Sequence, residues 1–330
     1  MNIIYLTSDL SSAHTNKRLK WFKLNDFRCE PLGSANRNNT DTFLSEDLFF
    51  FKSGFKGYVK RILHSFKLVF KERKKFKNSI LVVRGFEYAV FLWILRINFI
   101  KEIADIPTPF FKYKILLKLF RNLLKNKTVF LTSLGYNEIF KFSEKNIFIW
   151  HNNPIIKKKK QITNLSNKKI IYAGYLRGLN ELSEKLDNDK IDLWGKLNII
   201  TQNYNSTFIS KNYKGTYLFE ELSDLYSQYR FSYVSDFYDK NSKYNLTNRL
   251  YESIFNYCIP VEINNNYQKQ YLDRLKILYL NSSDSIYKLN ESLYFKNAKI
   301  NYDLLKKEII KDDEIITKFI KKNGEIFKEY

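Results

Sequence analysis

Short apolar runs alternate with longer stretches of helical periodicity through most of the chain. The first run, Ile3-Ile4-Tyr5-Leu6, ends at Thr7-Ser8-Asp9, and a polar loop over 11–15 leads into a helix-period segment at 16–25. Runs of this kind, rich in β-branched and aromatic residues and bounded by turn residues, read as strands. Further strands are expected at 27–32, 79–83, 99–103, 128–131 and 147–150, with helices at 49–76, 89–97 and 113–125 and another starting at Gly135. Residues 33–47 read as a polar loop. The alternation resumes with strands at 169–173, 191–195, 231–234, 258–261 and 277–281, and the chain ends in a basic helix at 315–330. Strands alternating with helices predict parallel sheets, whose ligands bind beyond the carboxyl ends of the strands. On that ground alone the loop 7–15 is a candidate site.

One stretch interrupts the pattern. His151-Asn152-Asn153-Pro154 closes a strand, and the residues that follow hold four consecutive lysines and Asn-Leu-Ser-Asn, the composition of a linker. The expected organisation is α/β with a first domain at 1–154, a linker at 155–168, a second domain at 169–315 and a terminal helix at 316–330.

Composition agrees with two domains. A length of 330 residues suits them, and a hydrophobic fraction of 44% supplies sizeable cores and excludes global disorder. The formal net charge of +22 implies attraction to anions: a phosphorylated small molecule, an anionic membrane surface or nucleic acid. That charge is spread along the whole chain, without zinc-finger spacing or an RNA-recognition signature, which argues against nucleic acid. The segment 49–76 carries an apolar stripe of Phe55, Tyr58, Val59, Ile62, Leu63, Phe66, Val69 and Phe70, flanked by Lys56, Lys60, Arg61, Lys67, Lys71, Arg73, Lys74 and Lys75. Two readings stay open for it: a core-facing helix with a solvated basic face, or a helix lying on an anionic membrane. The most apolar window, 80–100, contains Arg84, Glu87 and Arg96, charges a membrane span would not comfortably carry. The amino terminus reads as a strand rather than a signal peptide. Cys29 and Cys258 read as free thiols of a reducing compartment. The expected location is cytoplasmic, extending to a peripheral place at the inner face of the membrane.

Candidate chemistry follows the strand ends. His14 reads either as a loop polar group satisfied by backbone or as a contact to sugar or acceptor hydroxyls. Arg84 and Glu87 are placed to touch phosphate or to pair with each other. In the second half, Ala173-Gly174-Tyr175-Leu176-Arg177-Gly178 is a glycine turn before a helix, where backbone N–H groups favour phosphate and Arg177 adds a bidentate donor. Asp187-Asn188-Asp189 precedes a strand and reads as a solvated turn, so no metal is assigned. Residues 247–261 form a helix, a turn and a strand, with Leu250, Ile254 and Phe255 at helical spacing and Arg249 and Glu252 off that set.

This last segment, Arg249-Leu250-Tyr251-Glu252-Ser253-Ile254-Phe255-Asn256-Tyr257-Cys258-Ile259-Pro260-Val261, resembles the donor site of GT-B glycosyltransferases, in particular the family 4 capsular and surface polysaccharide transferases. The resemblance implies two Rossmann-like domains facing across a cleft, with the terminal helix crossing back to the first. It implies transfer of a sugar from a nucleotide-activated donor to a surface polysaccharide or lipid-linked glycan, without a metal or cofactor. Glu252 would hold the ribose hydroxyls. Arg249, with Arg177 or Lys196, would neutralise the diphosphate, and Gly174 and Leu250 would line the same site. Asp9, His14, Glu87 and Asp105 are the candidates for acceptor contact and general base. One departure concerns mechanism. Retaining members carry an acid eight positions before this Glu, where this chain has Tyr244. The alternative reading is a non-catalytic protein of the same fold that binds a nucleotide-sugar or nucleic acid.

Overall fold

The computed structural model describes residues 2–36, 49–51, 55–105, 114–152, 169–174, 176, 189–195, 206–218, 221–235 and 244–326. The chain divides into two units, 1–155 together with 311–330, and 156–310.

In the first unit, seven strands form one parallel sheet: β1 (Ile3–Thr7), β2 (Cys29–Asn36), β3 (Phe49–Phe51), β4 (Ile80–Val83), β5 (Ile100–Ile103), β6 (Val129–Leu131) and β7 (Ile147–Ile149). Their order is β3-β2-β1-β4-β5-β6-β7. Every residue of β1 and β4 is buried, as central parallel strands covered on both faces require. The chain travels outward through β2 and β3, then returns to lay β4 on the other side of β1. The β1/β4 boundary is therefore the switch point, where the loops after two neighbouring strands part and leave a crevice. Right-handed crossovers put the helices Phe55–Lys71, Phe86–Ile94 and Lys114–Leu124 on one face and Ala13–Leu24 on the other. On that second face Trp21 and Phe22 pack with Trp150, Ile316 and Ile320. The last two belong to the helix Glu291–Ile326, whose residues from 311 lie in this unit.

Three expectations change here. Residues 49–51 are a strand, paired with Ser34–Asn36, and the helix begins at Phe55 and breaks at Glu72. Three consecutive phenylalanines satisfy either period, so only the partner strand decides. The supposed loop from Gly33 is strand as far as Asn36, stitched by Ser34 Oγ donating to the Ser8 carbonyl at 2.7 Å. The terminal helix is not separate. It is the end of Glu291–Ile326, which contains no proline and no glycine before Gly324.

The second unit holds five parallel strands, β8 (Ile170–Ala173), β9 (Ile191–Trp194), β10 (Tyr213–Gly215), β11 (Phe231–Tyr233) and β12 (Ile259–Val261), in the order β10-β9-β8-β11-β12. Its switch point lies between β8 and β11. Pro260 is the middle residue of edge strand β12, a place where a missing N–H is tolerated. Its carbonyl accepts from Leu280 N at 2.9 Å, and that one bridge is all that forms where a strand was expected at 277–281. Both cysteines are free thiols. Among the described residues no helix is long and apolar enough to cross a membrane.

Candidate functional site

The helix Asn248–Phe255 follows β11, and its amino terminus is held by a polar cluster. Thr247 Oγ1 accepts from Leu250 N at 3.3 Å, an N-cap, and donates to the Val234 carbonyl at 2.8 Å. Thr247 N donates to Gln268 Oε1 at 3.0 Å. Behind them Glu262 is fully buried. Its carboxylate accepts from Asn265 N at 2.8 Å, Asn264 N at 3.0 Å, Ser235 Oγ and Gln268 Nε2. Burial pushes the Glu262 carboxyl above its ordinary value, and these donors oppose the shift. The helix ends at Asn256, with Tyr257 in the left-handed region (φ +63°) and Cys258 N donating to the Ser253 carbonyl at 2.9 Å. With both ends fixed and Leu250, Tyr251 and Ile254 fully buried, the helix is a rigid support for what it carries.

It carries Arg249 and Glu252, both buried at 9% exposure. Arg249 Nη2 donates to the Ser235 carbonyl at 2.9 Å, and its guanidinium lies 4.4 Å from the centre of the Tyr172 ring. Tyr217 sits in the same field. Burial pushes its phenol up to about 12, the Glu252 charge adds to that, and Arg249 opposes it. Gly174, just past β8, has φ +141°, and a Cβ there would stand 3.3 Å from Arg249 Nη1. Gly195, just past β9, has φ +132°, and its Cβ would fall 1.8 Å from the Gly174 carbonyl oxygen. Gly174 N donates to the Trp194 carbonyl at 3.0 Å, so the two strand ends are joined backbone to backbone. The result is a carboxyl edge at which two neighbouring strands run into glycine, with a fixed cation beside it. Oxygen-rich anions bind such surfaces.

Of the residues expected in this unit, Gly174 and Arg249 are brought to that edge, and Glu252 lies with Arg249 in the field of Tyr217. Leu250 is a core residue. Its side chain packs with Val234, Leu246 and Ile254, and its amide is used by Thr247. Arg177 and Lys196 lie outside the described residues. So do Asp187 and Asn188, while Asp189 pairs with Lys211. Tyr244 is half-buried.

The first unit gathers charge at the ends of β1, β4 and β5. Arg84 Nη1 donates to Ser12 Oγ at 2.7 Å, and its Nη2 is 3.8 Å from the exposed Asp105 carboxylate. Asp9 Oδ1 accepts from Ser11 N at 3.1 Å. His14 Nε2 lies 2.8 Å from Glu102 Oε1, and Nδ1 lies 3.0 Å from Asn152 Oδ1. Burial pulls the imidazole down to about 4 against the opposing pull of Glu102, so it is neutral at pH 7. The neutral ring donates its Nε2–H to the Glu102 carboxylate, and His14 so ties its loop to β5. Glu87 is not part of this group. It pairs with Arg61 of the helix Phe55–Lys71 at 3.3 Å, and Arg84 and Glu87 therefore do not serve each other.

Sequence reasoning passed over the residue at the centre. Glu102 is fully buried and accepts from Tyr5 Oη at 2.5 Å and Arg18 Nε at 2.6 Å as well as facing His14. Burial raises its carboxyl, but the charge of Arg18, with the hydrogen bonds from His14 and Tyr5, outweighs that and holds it well below the usual carboxylate range. Arg18 also donates to the Trp150 and His151 carbonyls at 2.7 and 2.8 Å. Beside it, fully buried Lys101 donates to the Glu102 carbonyl at 2.7 Å and the Val83 carbonyl at 3.1 Å, and burial pulls its ammonium down to about 7. A signal was present: Ile100-Lys101-Glu102-Ile103 places two charges inside a parallel strand, where charged side chains are rarely buried unless paired. Among the described residues no three His, Cys, Asp or Glu side chains group as a metal site.

No protein-family model matches the sequence, and no curated protein matches it. Solved structures do match over nearly the whole chain. HepE of Anabaena in complex with UDP-glucose superposes with a TM-score of 0.64 at 11% identity, over 98% of this chain and 100% of that one. A glycosyltransferase of Rickettsia africae does so with a TM-score of 0.60 at 14% identity, over 99% and 98%. The trehalose-6-phosphate structure from E. coli bound with UDP-2-fluoro glucose gives 0.66 at 10% identity, over 97% and 99%. Two Rossmann-like units with these strand orders and these structural neighbours give the chain the fold of the GT-B glycosyltransferases.

Proposed function

We propose that this protein is a glycosyltransferase that moves a sugar from a nucleotide-activated donor to a surface polysaccharide or lipid-linked glycan, without a metal ion. One observation carries the reading: a doubly anchored helix sets Arg249 beside Gly174, and Glu252 shares with it the field around Tyr217. The UDP-sugars held by HepE and by the E. coli structure support it by analogy of fold. In the reaction an acceptor hydroxyl oxygen bonds to the sugar's anomeric carbon and gives its proton to a base. The bond between that carbon and the diphosphate oxygen breaks, and negative charge grows on the leaving oxygen. A guanidinium already fixed in place stabilises that charge without reorganising. Arg177 and Lys196 are assigned to the same task. Glu252 accepts hydrogen bonds from the ribose hydroxyls, and Gly174 lets the diphosphate approach backbone N–H groups.

On the acceptor side we assign Asp9 and Asp105 as the carboxylates to test as general base, since neither is buried. His14 and Glu102 position the loop that carries Asp9. The non-catalytic reading is favoured by Tyr244 in the place of an expected acid.

The test is a thermal-shift panel of nucleoside diphosphates and nucleotide-sugars, followed by assay of donor hydrolysis. A nucleoside diphosphate should raise the melting temperature, and Glu252→Ala should remove that shift while the circular dichroism spectrum is kept. Undiminished binding by Glu252→Ala would refute the site, and binding without any sugar release would favour the non-catalytic reading.

A further inference from the structure

One surface of the unit formed by 1–155 and 311–330 has no explanation in its own fold. In the helix Phe55–Lys71 the residues turned inward are Gly57, Ser65 and Val69, with Arg61, Ile62 and Leu68 half-buried and Arg61 set against Glu87. The rest of the apolar stripe faces solvent, with Leu63, Phe66 and Phe70 each at least 50% exposed. The helix therefore exposes more large apolar side chains than it buries, which covering a core does not require. The stripe continues onto neighbouring helices. Phe66 meets the Phe91 ring at 5.4 Å, and beside Phe91 the helix Phe86–Ile94 exposes Trp93 and Ile94 at 53% and 59%. Trp93 shares a surface pocket with Asn122 and Asn126, which follow Ile115 and Leu119, themselves 69% and 59% exposed, on and after the helix Lys114–Leu124. Scattered apolar residues on a surface are normal, but large exposed apolar side chains on three neighbouring helices mark a contact surface.

Its charge identifies the occupant. The three helices carry eight Lys or Arg and a single acid, Glu87, which Arg61 neutralises. At the rim, the pocket of about 340 Å³ brings Arg96 and Lys127 together with the amides of Asn122 and Asn126 beside the Trp93 indole. Lys127 is braced by Asn98 Oδ1 at 2.9 Å. Two cations and two amides next to an indole suit a phosphate whose attached chains enter an apolar surface. A second copy of this chain would press like charges together, and a nucleic acid would leave the apolar stripe uncovered.

We propose that this face docks on an anionic phospholipid surface. Leu63, Phe66, Trp93 and Leu119 enter the boundary between headgroups and acyl chains, the flanking lysines meet lipid phosphates, and the pocket between Arg96 and Lys127 holds one headgroup. The docking is independent of the proposed sugar transfer, and its test reads out separately.

The full chain is mixed with phosphatidylcholine vesicles with and without phosphatidylglycerol. Co-sedimentation is expected with phosphatidylglycerol only, weakening as salt rises, together with a blue shift of tryptophan emission that Trp93→Phe removes. The variant Leu63→Ser/Phe66→Ser should lower partitioning about tenfold or more. Arg96→Gln/Lys127→Gln should lower it about fivefold per charge. Both variants should hydrolyse nucleotide-sugar as the parent does, because neither touches the strand edges. Equal partitioning into both kinds of vesicle, or unchanged partitioning of Leu63→Ser/Phe66→Ser, would overturn the proposal. So would a dimer that this variant dissociates, with no vesicle binding by the parent. Inorganic phosphate that protects Lys127 from acylation while vesicles do not would assign the pocket to a soluble anion and overturn its headgroup role.

Discussion

Gly195 offers a sharp trial of how the donor-side edge is built, because Gly215 supplies an internal control. Gly195 follows β9 and Gly215 is the last residue of β10, and both have φ values that L side chains rarely adopt, +132° and +122°. Alanine at either position carries the cost of holding a side chain in a region open essentially to glycine, about 1–3 kcal/mol. At Gly215 nothing among the described residues lies within 4 Å of the new Cβ, so the cost ends there. At Gly195 the Cβ would sit 1.8 Å from the Gly174 carbonyl oxygen, backbone that cannot swing aside as a side chain would. The two strand ends must part, which adds about 1–3 kcal/mol of overpacking. Urea unfolding of the two variants, followed by circular dichroism, should rank Gly195→Ala clearly below Gly215→Ala in stability. Nucleoside diphosphate affinity, read by calorimetry, should fall for Gly195→Ala as Gly174 is displaced from beneath Arg249. Equal destabilisation by the two variants, or a stable Gly195→Ala, would show that the close approach of β8 and β9 is misread.

Acid should weaken the first unit through His14. Its pKa is about 4 in the folded state against an ordinary 6.5, so below pH 6.5 the unfolded chain takes up a proton that the folded chain refuses. The His14 contribution is fully present above pH 6.5 and is lost as pH falls toward 4, about 3 kcal/mol in all. Urea midpoints measured across that window should fall for the parent and stay flatter for His14→Gln; parallel curves would remove His14 as the cause. Gln268→Leu orphans Thr247 N and one Glu262 oxygen, and should cost about 1–3 kcal/mol for each group left unpaired. A loss below 1 kcal/mol in denaturant melts would mean that the cluster does not anchor the helix Asn248–Phe255.

Much of the second unit's site was legible because its signals are local. Thr247 before an amphipathic segment marks a helix start, Arg249 and Glu252 stand off its apolar set, and the turn before Pro260 closes it within fourteen residues. The cluster that anchors the helix was not legible, since Glu262 meets Ser235 across 27 positions and Thr247 meets Gln268 across 21. Glu102 escaped for the same reason, its partners Tyr5, His14 and Arg18 lying 84 to 97 residues away.

The sequence by itself determined the alternation of strands and helices, hence two parallel α/β units, because runs of apolar residues bounded by turn residues can bury themselves in few other ways. It also determined that the segment 49–76 contains an apolar stripe with lysines beside it. Only the tertiary structure decided which way that stripe faces. Periodicity places residues around a helix axis, but rotation about that axis is set by the neighbours, and here Arg61 turns inward to reach Glu87 and leaves Leu63, Phe66 and Phe70 in solvent.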